Sequence, residues 1–383
     1  MVSFGGTGAS AGGSKGGHFA QQLLSLLAQG PTGSLLQQYI LPLTNFSSVS
    51  AAQLPLLLQG TNFTTLSTAA VLDAAGGRLD SQQKWQLANL HQKLFCAAGL
   101  TQDARRLPNS VLVPQGNFSI YVYKDNDIVS QHLAGESHSY EKPEVEAVLW
   151  ALRQYKPKKQ HGFGAAASLM SGPLMVDVGA NVGTFLFKVA DAGYRVAAFE
   201  GMPTNIALLR HSLCVNPRLA ERVALFGTGL GSATDSCAII SDHINVGDGH
   251  TVCGADEIKR RTTDTGYTVR GEMSIRRLDS IIAEDIQVMK MDVEGFELQV
   301  LEGSESLLAT HNVNYVVAEC TFGGEPRQRQ MLKFMDARGF HISLESFNGP
   351  WLDPAAVRNG SSKLPWNNIF CARKQLVDKQ PAV

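Results

Sequence analysis

One stretch constrains this chain more than any other: an apolar run that breaks into a glycine turn and restarts as a helix, Val176-Asp177-Val178-Gly179-Ala180-Asn181-Val182-Gly183-Thr184. It predicts a buried strand, a tight turn and a helix start, with glycine where the backbone needs φ > 0 or has no room for a Cβ. In such a turn, backbone N–H groups and the helix N-terminus face a bound ligand. The spacing is Gly-x-Asn-x-Gly, not the Gly-x-Gly-x-x-Gly of a dinucleotide fold.

Asp177 stands in the approach to the turn, where it repels a pyrophosphate and welcomes an ammonium group. About twenty residues further on, the position of the ribose carboxylate in such folds, Arg195-Val-Ala-Ala-Phe-Glu200 predicts a second strand that ends in a carboxylate. An ammonium site beside a ribose site implies S-adenosylmethionine as cofactor. Glu200 would also suit a nicotinamide dinucleotide, but the missing middle glycine and Asp177 argue against a dehydrogenase.

From Leu174 onward the pattern alternates. Strands are expected at 174–179, 195–200, 223–227, 287–292, 314–320, 340–346 and 368–373, and helices at 183–192, 203–215, 297–309 and 325–338. This is an α/β order, which calls for a mostly parallel Rossmann-like sheet covered on both faces. The last two strands lack a long helix between them and predict an antiparallel edge hairpin. Four regions follow: a disordered Gly/Ser-rich tail at 1–17, a helical N-terminal extension at 18–107, a strand/helix lead-in and linker at 110–172, and the main domain at 173–376. Helix faces are expected at 19–27 and at 81–98, the latter started by Asp80-Ser81 and stopped by Gly99. An insertion at 231–275, rich in His, Asp and Gly, is too long for an ordinary loop and reads as a lid or a disordered segment.

Composition limits the partners. With 383 residues, 44% of them hydrophobic, and a formal net charge of −1, the chain can bury a large core and has no charge excess for nucleic acid. No apolar run reaches the roughly eighteen residues of a membrane span, and no secretory signal is visible. A soluble intracellular protein is therefore expected, against the mild pull of four Asn-x-Ser/Thr sequons at Asn45, Asn62, Asn117 and Asn359. The six cysteines contain no Cys-x-x-Cys pair and read mainly as buried small residues of a reducing compartment. Cys237 and Cys253 pair only if the compartment is oxidising. No ligand spacing announces a metal.

Ligands of open α/β sheets bind beyond the carboxyl ends of the strands. Those ends nominate Asp177, Gly179, Asn181 and Gly183 on the first strand, and Glu200, Gly201 and Met202 on the second, with the Met202 thioether placed to pack on adenine. Phe226 to Leu230 would form a rim, and Glu319 closes the fifth strand. At the end of the fourth strand, Asp292 and Glu294 either cap the next helix or serve the site. Lys290, inside an apolar strand, needs a partner, and Asp292 lies on its face two residues on.

Taken together, the turn 176–183, the strand 196–200 with Met202-Pro203-x-Asn205, and Leu278-Asp279 followed by Lys290-Met-Asp-Val-Glu-Gly-Phe-Glu-Leu-Gln-Val-Leu-Glu-Gly303 resemble the FkbM family of S-adenosylmethionine-dependent methyltransferases. Asn126-Asp-Ile-Val-Ser130 and Tyr140-Glu141 resemble that family's lead-in, and Asn368-Ile-Phe-Cys371 its last strand. The resemblance spans residues 118–374. It implies a class I methyltransferase fold, adds Glu141 to the cofactor-binding residues, and implies methylation of a hydroxyl on a sugar, glycan or other natural product. Asp292 and Glu294 are then the candidate bases, with Lys290 holding a carboxylate ionised. The 231–275 insertion and the N-terminal extension lie outside the family's common core. A silent methyltransferase fold used as a binding or scaffold module is the rival reading.

Overall fold

The computed structural model describes residues 80–99, 107, 109–136, 138–157, 172–321 and 323–378. The expected tail at 1–17, the helix face at 19–27 and most of the linker at 155–171 lie outside them. The expected helix after Asp80 forms as α1 (Ser81–Gly99). Its start is a reciprocal cap: the Gln83 N–H donates to the Asp80 carboxylate at 2.8 Å, and the Asp80 N–H donates to the Gln83 side chain at 2.9 Å. A hairpin of β1 (Ser110–Pro114) and β2 (Ser119–Tyr123) follows, then α2 (Ile128–Ala134) and α3 (Lys142–Arg153). Pro143 sits in the first turn of α3, where its missing N–H costs nothing.

The alternating region begins with β3 (Leu174–Val178), α4 (Thr184–Asp191), β4 (Arg195–Glu200), α5 (Pro203–Val215), α6 (Pro217–Ala220) and β5 (Val223–Gly227). β6 (Gly229–Leu230) leads into the insertion, which contributes β7 (Asp235–Ser241), β8 (His250–Val252), α7 (Ala255–Asp264) and nearly all of β9 (Thr268–Arg276). The chain then returns through β10 (Ile286–Met291), α8 (Glu297–Glu302), α9 (Glu305–Thr310), β11 (Val313–Glu319), α10 (Gly324–Ala337), β12 (Phe340–Ser343), α11 (Pro354–Asn359), β13 (Asn368–Arg373) and α12 (Lys374–Val377).

Seven strands form one sheet in the order β12-β13-β11-β10-β3-β4-β5. Neighbours from β11 to β5 are parallel, and β13 runs antiparallel to both β11 and β12, as the late strand pair predicts. Strand order reverses between β3 and β10, which opens a crevice beyond their carboxyl ends. Every residue of β3, β4 and β10 is buried, as a sheet covered on both faces requires. Val176 and Val178 pack on one side with Met291, Leu301 and Met335, while Met175 packs on the other with Leu186 and Leu209.

α1 belongs to the same core. Trp85 and Ala88 join the first of these clusters, and the Arg195 guanidinium lies 4.6 Å from the Trp85 ring centre while holding Glu284 at 3.0 and 3.2 Å. No helix among the described residues is long and apolar enough to cross a membrane.

Three expectations change in the folded chain. The single helix at 297–309 is two helices, broken at Gly303-Ser304. A Cβ at Gly303 would overlap the Gly231 backbone oxygen, and Asp279 claims both sides of the break: its N–H donates to Gly303 O at 3.1 Å and its carboxylate accepts from the Ser306 N–H at 3.1 Å. The insertion is ordered rather than a disordered segment: its β7, β8 and β9 form a four-stranded sheet with the preceding β6, in the order β6-β9-β7-β8. The cysteines differ most in Cys96 and Cys214, which pair unexpectedly; Cys237 and Cys253 form the one pair the sequence allows, and the buried Cys320 and Cys371 stay thiols.

Candidate functional site

The glycine turn is built by contacts that only glycine permits. Gly179 has φ +79°, and a Cβ there would overlap the backbone oxygen of Asp292. The turn is fixed on its other side by Phe199 O, which accepts from the Gly179 and Ala180 N–H groups at 3.0 Å each. The end of β3 therefore touches the end of β10 directly.

Glu200 closes β4 and is almost wholly buried. Its two oxygens accept from the Asn181 N–H at 2.7 Å and the Met202 N–H at 2.8 Å, which locks the carboxylate against the turn. Burial pushes its pKa up to about 7, with those backbone donors opposing. A cleft opens beside it, walled by Gly179, Asn181, Glu200, Gly201 and Asn205, with Thr228 to Leu230 as the expected rim. The Asn181 side-chain oxygen is buried there and accepts no hydrogen bond among the described residues.

The acidic end of β10 forms the opposite wall. Asp292, Val293 and Glu294 line the cleft together with Phe296. Neither acid caps the next helix, which has no side-chain cap; the buried Glu297 in its first turn instead fastens the preceding loop, accepting from the Val293 and Gly295 N–H groups at 3.0 and 3.1 Å. Glu294 adopts a left-handed conformation, φ 53°. Candidate ligand atoms of Asp292, Glu294 and Glu319 lie within 4.8 Å of one another, as do those of Asp248, His250 and Glu294. Sequence spacing signals neither group; a third cluster, Asp235 with Cys237 and Cys253, has its two sulfurs joined in a disulfide. Burial and then the neighbouring carboxylates push Glu294 up to about 11 and Glu319 up to about 8. Burial lowers His250 below its ordinary value, against Asp248 at 3.9 Å.

Lys290 is the cation beneath this cluster. Its Nζ donates to Gly179 O at 3.0 Å and lies 3.6 Å from Asp292 and 3.9 Å from Asp177. Burial opposes its charge, yet Asp292, Asp177, Glu141 and Glu200 outweigh that and raise its pKa.

Some nominated residues sit behind the wall. Asp177 is fully buried under the turn facing Lys290, because the strand's alternation points it into the sheet's cover and not at the crevice. Burial raises it to about 6. Gly183 starts α4, where a Cβ would strike the Phe187 ring. Met202 packs into the insertion's small core with Cys237, Ile239 and Ile275, and the sulfur beside the cleft is that of Met273. Glu141 precedes α3 in a left-handed conformation, near enough to Lys290 and Asp292 to feel both charges, and burial first raises it to about 7.

The insertion supplies the cleft's outer wall through Ile239, Gly247, Asp248, Gly249, Thr251 and Met273. The lead-in holds it there. Buried Asp127 caps α2 by accepting from the Ser130 N–H at 2.7 Å, and its other oxygen accepts from the Gly247 N–H at 3.1 Å. Asn205 bridges the two, donating to Gly247 O at 3.0 Å and accepting from the Tyr123 hydroxyl at 2.7 Å. The only sequence signal for Asp248 and His250 is the Gly-Asp-Gly-His run itself.

Compared with known proteins, residues 177–342 match the family described as Methyltransferase FkbM domain. Two relatives align over 162 residues: Methyltransferase sdnD of Sordaria araneosa at 27% identity and 31-O-demethyl-FK506 methyltransferase FkbM of Streptomyces tacrolimicus at 30%. Each alignment covers 36% of this chain and 62% or 61% of the relative, so the chain spans about three-fifths of their length. A solved structure of Methyltransferase FkbM from Methylobacillus flagellatus KT is similar with TM-score 0.33 and 18% identity, over 52% of this chain and 43% of that one.

Proposed function

We propose that this chain, whose residues 177–342 match the FkbM methyltransferase domain, moves a methyl group from S-adenosylmethionine to a hydroxyl oxygen of a sugar, glycan or other natural product. One observation carries the reading: the Gly179 turn and the Asp292 backbone are in direct contact. A donor seated on the turn therefore has the acidic end of β10 at its side.

The residues present fit this cofactor. Glu200 suits two ribose hydroxyls, and the orphaned Asn181 oxygen suits an ammonium group, the part first assigned to Asp177. Gly201 keeps the wall clear, since a Cβ there would overlap the Met273 sulfur. S-adenosylmethionine supplies a methyl group already activated on a sulfonium. What remains for the protein is alignment and proton removal. Asp292, paired with Lys290, takes the acceptor's proton as oxygen attacks. Glu294, whose carboxyl is pushed up by burial and by its hydrogen bond with Asp248, lines the acceptor side of the cleft. Glu319 and Asp248 extend the polar wall. A relative named for a 31-O-demethyl compound supports oxygen as the acceptor atom.

The test is calorimetric titration with S-adenosylhomocysteine, followed by a screen of hydroxyl acceptors. Micromolar binding by the wild type, lost in a Glu200→Ala, Asn181→Ala chain that remains folded, supports the reading. In Asp292→Asn, turnover should fall about 10²-fold or more, the range of a lost general base, with cofactor affinity kept. A folded wild type that binds no S-adenosylhomocysteine returns the scaffold reading.

A further inference from the structure

Four of the six cysteines have partners, and the pairs do different structural jobs. Cys96 on α1 and Cys214 near the end of α5 are 118 residues apart in sequence with Cα atoms 5.3 Å apart. They reinforce a packing contact already marked by Gln92, whose side chain donates to Arg210 O at 2.9 Å. Cys237 on β7 and Cys253 just beyond β8 have Cα atoms 4.4 Å apart. Both separations fall within disulfide reach.

The second pair compensates for a small core. The insertion's apolar cluster consists of its Cys237, Ile239, Met273 and Ile275 packed with Met202 from just beyond the end of β4, and Cys253 against them. A unit that small is the kind that disulfides staple, by restricting its unfolded chain. The two remaining cysteines are buried in the main core, where burial raises Cys320 to about 12 and Cys371 well above its ordinary value. Neither is suited to thiolate chemistry. Two closed pairs, with the remaining thiols sealed in the core, are the usage of a chain that folds under oxidising conditions.

A second observation is independent of the first. Two Asn-x-Ser sequons fall among the described residues, at Asn117 and Asn359, and both asparagines are exposed. Asn117 lies in the turn joining β1 to β2, beside Gly116 at φ +79°. Its side chain touches Asp191, at the C-terminal end of α4, whereas the cleft lies at the N-terminal end. A glycan there projects away from the site. Asn359 ends α11, and its side-chain oxygen accepts from the Ser361 N–H at 2.9 Å in a surface turn. Burial of either asparagine would have excluded modification.

We propose that this chain matures in an oxidising, glycosylating compartment, where Cys96–Cys214 and Cys237–Cys253 close and Asn117 and Asn359 receive N-linked glycans. In each closure two thiols lose two protons and two electrons and one S–S bond forms, while a disulfide oxidant is reduced to two thiols. In each glycosylation the asparagine amide nitrogen displaces a lipid pyrophosphate from the anomeric carbon of a lipid-linked oligosaccharide. One N–H proton is lost to a base and a C–N bond replaces the C–O bond. The insertion that walls the cleft is then covalently set before the protein acts.

The experiment is peptide mapping of the full chain isolated from its own cells, lysed directly into N-ethylmaleimide and digested without reduction. The digest is treated with peptide N-glycosidase in ¹⁸O-labelled water. The expected result is two cross-linked peptide pairs, Cys96 with Cys214 and Cys237 with Cys253, with maleimide on Cys320 and Cys371 only after denaturation. Asn117 and Asn359 should be recovered as labelled aspartate. Conversion at one asparagine alone assigns the glycan to that position and keeps the compartment. Maleimide on all six cysteines overturns the proposal, as do intact disulfides with both asparagines unconverted.

Discussion

Lys290 Nζ and Asp177 Oδ1 face each other at 3.9 Å beneath the glycine turn, with side chains 9% and 1% exposed. The pair supports the site from below: Lys290 also donates to Gly179 O and neighbours Asp292, so a single ammonium ties the donor turn to the acidic wall. Neither oxygen of Asp177 accepts a well-formed hydrogen bond, which leaves its burial balanced mainly by this charge.

Lys290→Met should therefore destabilise the fold by about 3–5 kcal/mol, the cost of stranding a buried partner charge. Adding Asp177→Asn should restore part of that loss. Urea unfolding of the two single variants and the double variant measures the coupling, and strict additivity would contradict it.

Gly179→Ala meets two penalties. At φ +79° the backbone strain is about 1–3 kcal/mol, and the new methyl overlaps the Asp292 backbone oxygen. The melting temperature should fall, and S-adenosylhomocysteine affinity should be lost, because relief requires the two strand ends to part. A variant that stays as stable and binds as well as the wild type would refute the contact's importance.

Acidity at the site has a definite sign. Glu141 and Glu319 rise from 4.5 to about 7 and about 8, so the folded state holds their protons more tightly than the unfolded chain does. Their contribution to stability is complete below pH 4.5 and is lost as pH rises through about 7 and 8. Melting temperature against pH should slope downward over that window in the free protein. Glu319→Gln should flatten the upper part of the slope.

Asp127→Ala removes a helix cap and the anchor of Gly247 together. Stability should fall by about 1–2 kcal/mol for the cap, and amide hydrogen exchange should quicken around residues 245–250. Unchanged exchange there would mean the insertion is held by its other contacts.

Much of the main domain is legible in the primary structure because its signals are local. Strands β3, β4 and β10 announce themselves as mainly apolar runs, the Gly179 turn through its glycines, and the β12–β13 pair through the lack of a long helix between them. Glu200, Asp292 and Glu294 could be nominated because a parallel sheet sends the carboxyl ends of its strands to one face. The misplacements are equally instructive. Met202 and Met273 are chemically alike, so nothing in the chain's order says which thioether reaches the cleft. The break at Gly303 depends on Gly231, seventy-two residues away along the chain.

Local order therefore specified the strand–turn–helix rhythm and the residue types gathered at the crevice, since alternation and glycine act through neighbours a few positions apart. Folding specified the partners. It brought Lys290 under Asp177, set Asp248 and His250 of the insertion beside Glu294, and joined Cys96 to Cys214. Charge pairing, burial and disulfide closure depend on distance through space, which the order of residues along the chain does not encode locally.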